Sequence, residues 1–262
     1  MKDFTESAPL LQASNLIKTF GRITACDAVS LDIYPGEVLG IVGESGSGKS
    51  TLLRCLSGDV LPDAGTVEYA TRTGVLRDIH AMGVAERRML TRTDWAFVHQ
   101  NPRDGLRMHV SAGGNVGERL MAVGNRHYGN IRHAAIDWLD KVEIAEDRVD
   151  DLPVIFSGGM QQRLQIARNL VTHPRLAFMD EPTGGLDVSV QARLLDLLRG
   201  LVADLGLAAI IVTHDLAVAR HLSHRLMVMK GGKVVETGLT DQVLDDPQHP
   251  YSQLLVSSIL RA

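Results

Sequence analysis

The residues with the clearest potential for chemistry form the loop Gly43–Thr51, which reads GESGSGKST. The loop fits G-x-x-x-x-G-K-[ST] at every position and follows Val38–Val42, an apolar run typical of a short buried strand. Glycines let successive backbone N–H groups converge on one phosphate, and the N-terminus of the next helix adds a partial positive charge. Lys49 would supply a cation for the β- and γ-phosphates, and Ser50 a hydroxyl for Mg²⁺. The loop therefore predicts a nucleoside triphosphate site rather than a flexible glycine-serine linker.

A pair of acids follows a second apolar run. Leu176–Met179 leads directly into Asp180 and Glu181, at the carboxyl end of a predicted strand, where open α/β sheets place ligands. Asp180 would complete the Mg²⁺ shell, and Glu181 would orient or deprotonate the attacking water. Acids at strand ends are common, so this interpretation depends on the phosphate loop in the same chain.

A second potential anion site lies in Phe156–Arg163, which reads FSGGMQQR. Ser157 is a good helix N-cap, and a simple capped helix is one interpretation. However, the adjacent glycines Gly158 and Gly159 weaken the first turn by about 1 kcal/mol each relative to alanine. An anion bound at this helix N-terminus would compensate for that loss.

Four stretches together resemble the ABC-type ATP-binding domains in their order and spacing: GESGSGKST, FSGGMQQRLQIARNL, LAFMDEPTGGLD and VTHD. The resemblance covers nearly the whole chain. It implies an α/β fold, namely a P-loop NTPase core (ABC ATPase) with an antiparallel β subdomain and an inserted α-helical signature subdomain. It also implies an ATP hydrolase with ATP held between two protomers, the phosphate loop of one facing the signature of the other. Because the chain carries one set of motifs, the expected working unit is a dimer, of itself or with a relative, with a homodimer as the first expectation.

The resemblance also implies roles for single residues. Gln100 looks like the residue that reaches Mg²⁺ and the water, and His214 like the switch histidine at the γ-phosphate. Phe20 could stack on adenine or belong to the core, and Asp187 matches the loop that crosses the dimer interface. The implied catalytic residues are Glu181, His214 and Gln100, and the implied Mg²⁺ ligands are Ser50, Gln100 and Asp180. The implied ATP-binding residues are Phe20, Gly43, Glu44, Ser45, Gly46, Ser47, Gly48, Lys49, Ser50, Thr51, Ser157, Gly158, Gly159 and Gln161.

Other stretches separate members of the family. Asp246–Leu255, which reads DPQHPYSQLL, resembles the tail of peptide-importer ATPases. The segment after Gln100, together with VEIAEDRVDDLPVIFSGG, instead resembles the ATP-binding subunits of bacterial carbon–phosphorus lyase systems. That resemblance implies an ATPase that drives conformational change in a soluble organophosphonate-degrading complex, with the carbon–phosphorus lyase core subunits as partners. The alternative is the motor of a peptide or solute importer; a degenerate ATP-binding scaffold is a third, which intact Lys49 and Glu181 disfavour.

No C–P bond cleavage is expected in this chain, because it has no cysteine triad or other radical-generating site. Basic residues after Gln100 could form the surface that docks onto an enzyme subunit, although a charged face is equally often just solvated. That set comprises Arg103, Arg107, His109, Arg119, Arg126, His127 and Arg132.

The elements that must position these residues can be predicted from the pattern of the chain. Strands and helices alternate, which favours a parallel sheet covered on both faces. Helical periodicity dominates from about residue 111 to 152 and predicts a separate helical subdomain. We expect a single ABC ATP-binding domain over residues 1–262. Its α/β core with the β subdomain occupies 10–100 and 173–240, the helical subdomain with the signature 101–172, and a C-terminal helical tail 241–262.

The composition is that of a globular chain of 262 residues, 45% hydrophobic and 22% charged, with a net charge of −4. This near balance gives no reason to expect nucleic-acid binding. Cys26 and Cys55 are too few for a disulfide framework and predict buried thiols in a reducing compartment. The longest apolar runs, such as Leu207–Val212, fall far short of the ~18 residues of a membrane span. Since Met1–Pro9 lacks the apolar region of a signal peptide, we expect a cytoplasmic protein without direct membrane insertion.

Overall fold

The computed structural model describes residue 4 and residues 7–259. The predicted absence of a signal peptide over residues 1–9, and the end of the predicted tail, therefore fall partly outside the described residues. The strands are β1 (Leu11–Phe20), β2 (Ile23–Ile33), β3 (Val38–Val42), β4 (Ala64–Ala70), β5 (Leu76–Asp78), β6 (Trp95–Val98), β7 (Leu176–Asp180), β8 (Ala208–Val212), β9 (Arg225–Lys230) and β10 (Lys233–Leu239). The helices are α1 (Lys49–Leu56), α2 (Val84–Thr93), α3 (Pro102–Gly105), α4 (Ala112–Ala122), α5 (Tyr128–Lys141), α6 (Gly158–Leu170), α7 (Val188–Leu205), α8 (Leu216–Leu222), α9 (Thr240–Asp245) and α10 (Pro250–Ile259).

The chain folds into two compact units, the first comprising Met1–Arg87 with Gly206–Ala262. In this first unit, β2, β1, β4 and β5 form an antiparallel sheet in that order, which confirms the predicted antiparallel β subdomain. Strand β3 pairs in parallel with β8 and with β9, and β10 returns antiparallel to β9 through a turn at Gly231-Gly232. Every residue of β3 and β8 is buried, which explains why both sequences are continuously apolar.

The second unit comprises Arg88–Leu205. Strands β6 and β7 pair in parallel within it, with Val98 opposite Met179 near their carboxyl ends. Helix α6 lies in the interior of this unit and buries polar as well as apolar side chains. The predicted helical stretch before the signature is confirmed by α4 and α5. The finer division into core, helical subdomain and tail stays a prediction.

Some elements differ from the sequence-based expectation. Strand β2 spans Ile23–Ile33, and it pairs with β1 through an irregular register that no local sequence period predicts. Strand β5 was not predicted, because it spans only Leu76–Asp78 and is too short to show a period. Helix α9 lies at the start of the predicted C-terminal helical tail. Cys26 and Cys55 are free and buried, as predicted. Among the residues that the structure describes, no helix is both long enough and apolar enough to cross a membrane.

Candidate functional site

The phosphate loop connects the buried strand β3 to α1, as the motif predicts. Gly48 has a φ of 102°, and a Cβ at this position would lie 1.9 Å from the carbonyl oxygen of Ala25, so that only glycine fits. Lys49 is buried, and its Nζ donates to the carbonyl oxygens of Gly43 at 2.9 Å and Glu44 at 2.8 Å. The ammonium group is therefore held along the loop, close to its first residues.

Ser47 independently indicates anion chemistry in this loop. Its side chain is buried, and its Oγ has no hydrogen-bond partner among the described residues. A buried hydroxyl without a partner is costly, and a phosphate oxygen would accept its hydrogen bond. The residue types present thus fit a bound phosphate chain. The exposed members of the loop are Glu44, Ser45, Gly46 and Ser50, while Thr51 is half-buried.

Tyr251 contacts the phosphate loop, and sequence reasoning missed it. Its hydroxyl oxygen accepts a hydrogen bond from the backbone N–H of Glu44 at 2.9 Å, although 207 positions separate the two residues. The ammonium group of Lys230 lies 4.7 Å from the centroid of the Tyr251 ring, which suits a cation–π interaction. Helix α10 is therefore attached directly to the loop. The one sequence signal for this contact was the presence of an aromatic residue in the C-terminal stretch His249–Tyr251, which reads HPY.

Phe20 lies outside the core, with 52% of its surface exposed, so the core alternative for this residue is wrong. The segment that carries it is fixed by Asp63, which accepts hydrogen bonds from Lys18 Nζ at 2.8 Å and from the Thr19 backbone at 2.7 Å. These bonds, from Lys18 first and then from Thr19, lower the pKa of Asp63 to about 2. Phe20 is thus an exposed aromatic ring on an ordered strand end, and its stacking on adenine stays a prediction.

His214 lies just after the carboxyl end of β8, and the phosphate loop lies just after the carboxyl end of β3, at the same edge of the sheet. The two strands are parallel neighbours, with Ile41 opposite Val212. Thr213 Oγ1 accepts from the N–H of Asp215, and Asp215 caps α8 by accepting from Ala217 at 2.8 Å. These bonds fix the backbone on the C-terminal side of His214, which is exposed.

In the second unit, the structure brings Gln100 and Glu181 together. Gln100 Nε2 donates to Glu181 Oε2 at 3.0 Å, just beyond the carboxyl ends of the neighbouring strands β6 and β7. Glu181 has a φ of +43°, a conformation that residues other than glycine rarely adopt and that is often found at functional sites. Asp180 is the last residue of β7 and is partly exposed. The Gln100 amide and the Glu181 carboxylate thus meet at the sheet edge where β7 ends in Asp180, and their part in a Mg²⁺–water site stays a prediction.

The signature begins α6, and Ser157 caps this helix as predicted. Its Oγ accepts from the Met160 N–H at 3.3 Å, and both Ser157 and Gly158 are exposed. Gln161 points inward instead: it is 5% exposed, and its Nε2 donates to the carbonyl oxygens of Pro153 and Phe156. Gln161 therefore holds the segment that leads into the signature, and its predicted part in ATP binding would have to be indirect. Gly159 is buried and Asp187 is exposed.

Most of the basic set after Gln100 is exposed, but Arg119 is turned toward the interior of the unit; docking through this set stays a prediction. Arg119 donates to the carbonyl oxygens of Thr91 and Trp95, and burial, followed by the nearby charge of Arg168, lowers its pKa to about 10. Arg103 and His109 are exposed. Other members are engaged within the unit: Arg107 with Glu118 at 2.5 Å, Arg126 with the carbonyl of Met121, and Arg132 with Asp150 at 2.7 Å. A charge reversal at Arg103 therefore tests docking more cleanly than one at Arg107.

The site combines a phosphate loop that carries a buried lysine with a sheet edge where acidic residues lie beside a glutamine. Together with the signature segment at the start of α6, these features define a P-loop ATPase. The family model described as "ABC transporter" matches residues 26–184, and the chain belongs to this family as an ATP-hydrolysing subunit. It is 65% identical, over 97% of its length and 98% of the relative, to the "Putative phosphonates utilization ATP-binding protein PhnK" of Escherichia coli (strain K12). It is 35% identical, over 99% of its length and 79% of the relative, to the "Dipeptide transport ATP-binding protein DppF" of the same organism.

Solved structures of ATP-binding cassettes share this fold, which confirms the predicted fold class. A dimeric cassette, MJ0796, in a post-hydrolysis state bound to ADP and Pi matches with a TM-score of 0.77 and 30% identity, covering 88% of this chain and 98% of that one. The cassette cbiO1 from Clostridium perfringens, part of the cbiONQ complex, matches with a TM-score of 0.76 and 27% identity, covering 92% of each chain.

Proposed function

We propose that this chain is the ATPase subunit of a soluble carbon–phosphorus lyase complex, in which ATP binding and hydrolysis by a dimer drive conformational change during organophosphonate degradation. The observation that carries the proposal is the 65% identity, across nearly the full length of both chains, to a protein named for phosphonates utilization. The 35% identity to the dipeptide transport relative is much lower. The chain would act in the cytoplasm, with the lyase core subunits as partners.

Within the ATPase cycle, the residues of each unit would have separate tasks. Lys49 and the loop N–H groups would hold the β- and γ-phosphates, and Phe20 would stack on adenine. Glu181, oriented by Gln100, would accept a proton from the attacking water. Ser157 and Gly158 of a second protomer would bind the γ-phosphate, which accounts for an exposed hydroxyl and an exposed glycine at a weakened helix start.

Mg²⁺ would be held by the Ser50 hydroxyl, the Gln100 amide and the Asp180 carboxylate, which are hard oxygen donors of the kind that this ion prefers. When bound, the ion would neutralise charge on the phosphate oxygens. Among the described residues there is no cluster of three or more His, Cys, Asp or Glu side chains suited to a metal ion. The proposed donor set contains a single carboxylate and so does not depend on such a cluster.

A second candidate function is the motor of a peptide or solute importer. The tail stretch Asp246–Leu255 favours it because it resembles importer ATPases, and so does the 35% identity to a dipeptide transport relative. In that case the partner would be a membrane permease instead of soluble enzyme subunits.

The partner distinguishes the two functions. Tagged Glu181→Gln protein is isolated from its native cells in Mg-ATP, with Lys49→Ala protein as the control that should not form the ATP-bound state. Co-purified proteins are identified by mass spectrometry. We expect soluble carbon–phosphorus lyase subunits with the first variant and less of them with the control. A permease in place of these subunits would overturn the proposal and support the importer function.

A further inference from the structure

Besides Gln161, helix α6 carries three more amide side chains in the interior of the second unit. Gln162, Gln165 and Asn169 are spaced three and four positions apart, so they share one face of the helix. They are 2%, 0% and 7% exposed. Buried amides are retained only where every polar group finds a partner. Their hydrogen-bond partners therefore show which segment this face of the helix positions.

Gln165 binds both peptide groups of His99. Its Oε1 accepts from the His99 N–H at 2.6 Å, and its Nε2 donates to the His99 carbonyl at 3.1 Å. Gln162 adds a hydrogen bond to the same carbonyl at 3.3 Å. Pairing of β6 with β7 ends at Val98, so His99 is the first residue beyond the ladder. The side chain of Gln165 thus takes the place of a neighbouring strand at this residue.

Gln165 also packs against Gly105, at the end of α3. A Cβ added at Gly105, the last residue of α3, would lie 2.4 Å from Gln165 Oε1 and 2.8 Å from its Cδ. Because His99 precedes Gln100 and Gly105 follows it, one side chain packs against both ends of the turn that carries Gln100. That turn delivers the Gln100 amide to Glu181 at 3.0 Å.

We propose that Gln165 is a positioning residue for hydrolysis, which fixes the Gln100 turn to α6 and thereby sets the orientation of Glu181. Ser157 begins the same helix about 12 Å away, at 1.5 Å per residue. If the N-terminal end of α6 moved, the rigid helix would move Gln165 with it. The two hydrogen bonds between Gln165 and the His99 backbone would then shift Gln100. The inference rests on the proposed roles of Glu181 and Gln100 and extends them to a residue in the interior.

The test replaces Gln165 with methionine, which has a similar length but cannot bond a peptide group. We expect kcat for ATP hydrolysis to fall about 10- to 100-fold, since small misplacements of reacting groups are costly. ATP affinity should be unchanged, because Lys49 and the phosphate loop are untouched. Leu139→Ala, a core truncation in the same unit, serves as the control: it should lower the unfolding temperature and leave kcat near the wild-type value.

Gly105→Ala tests the same contact from the other side and does not alter α6. It should lower kcat in the same way, because the added methyl group displaces the Gln165 amide. In a double-mutant cycle, Gln165→Met should add little to Glu181→Gln, since both act on one proton transfer. An unchanged kcat in Gln165→Met or Gly105→Ala, or an effect fully additive with Glu181→Gln, would overturn the inference. If Glu181→Gln itself hydrolyses ATP at the wild-type rate, the proposed role of Glu181 fails instead.

Discussion

Glu181 combines a partly exposed carboxylate with a left-handed backbone conformation. An L-residue in this conformation costs roughly 1–2 kcal/mol, so the surrounding structure holds Glu181 against a local penalty. Glutamine at 181 keeps the shape of the side chain but removes the base. We expect hydrolysis to fall about 10²- to 10⁴-fold while ATP binding persists, and the ATP-bound dimer to accumulate.

Steady-state ATPase assays and size-exclusion chromatography with and without Mg-ATP check this expectation. Glu146→Gln, an exposed substitution in the same unit, is the control and should behave as wild type. A Glu181→Gln protein that hydrolyses ATP normally would mean that another group activates the water.

Lys49 is the residue whose loss should act on binding itself. Its ammonium group contacts two loop carbonyls and, in the proposed site, the phosphates. Lys49→Ala should weaken ATP affinity at least about tenfold, because a charge-assisted contact contributes about 1.5–3 kcal/mol. Equilibrium titration with ATP measures this loss, and Arg54→Ala, in the same helix, is the control. Equal ATP affinities in wild type and Lys49→Ala would exclude the phosphate role.

At the scale of elements, local motifs were predictable and long-range attachments were not. The loop, the N-cap Ser157 and the strand ending at Asp180 follow from short sequence patterns, each with a physical cause within a few residues. The Tyr251 contact lies 207 positions from Glu44, and no local period encodes it. The sequence shows the amides of α6 three and four residues apart, but a polar stripe of this kind on a helix usually indicates solvent exposure. Only the tertiary structure shows that these amides are buried.

The attachment of α10 to the phosphate loop gives a prediction for that element. Tyr251→Phe leaves the ring over Lys230 but removes the acceptor of the Glu44 N–H. A lost hydrogen bond of about 0.5–1.5 kcal/mol should lower the melting temperature by a few degrees, and ATP affinity should fall by a small factor. Calorimetry and ATP titration measure both effects. Tyr128→Phe, at an exposed position, is the control; if the two variants behave alike, the tail does not support the loop.

For the whole molecule, the question is whether one chain forms a complete site. Each protomer carries one phosphate loop and one signature, so two protomers would complete two sites by two-fold symmetry. Gly158→Asp should disable the signature without disturbing the fold, because a Cβ at this exposed position lies 3.8 Å from its nearest neighbour, Leu186, and an acid in the first turn suits the helix dipole.

Mixing two inactive variants then decides between a shared and a separate site. Lys49→Ala protein retains its signature, and Gly158→Asp protein retains its phosphate loop. In an equal mixture, half the dimers contain one intact composite site, so we expect about a quarter of the wild-type ATPase rate, although each variant alone is nearly inactive. The control is a double variant, Lys49→Ala with Gly158→Asp, mixed equally with wild type. Its mixed dimers contain no intact site, so the rate should fall to about the quarter contributed by wild-type homodimers, instead of about the half expected if the two proteins did not exchange protomers. If mixing restores no activity beyond the sum of the separate variants, ATP is not hydrolysed between the phosphate loop of one protomer and the signature of the other.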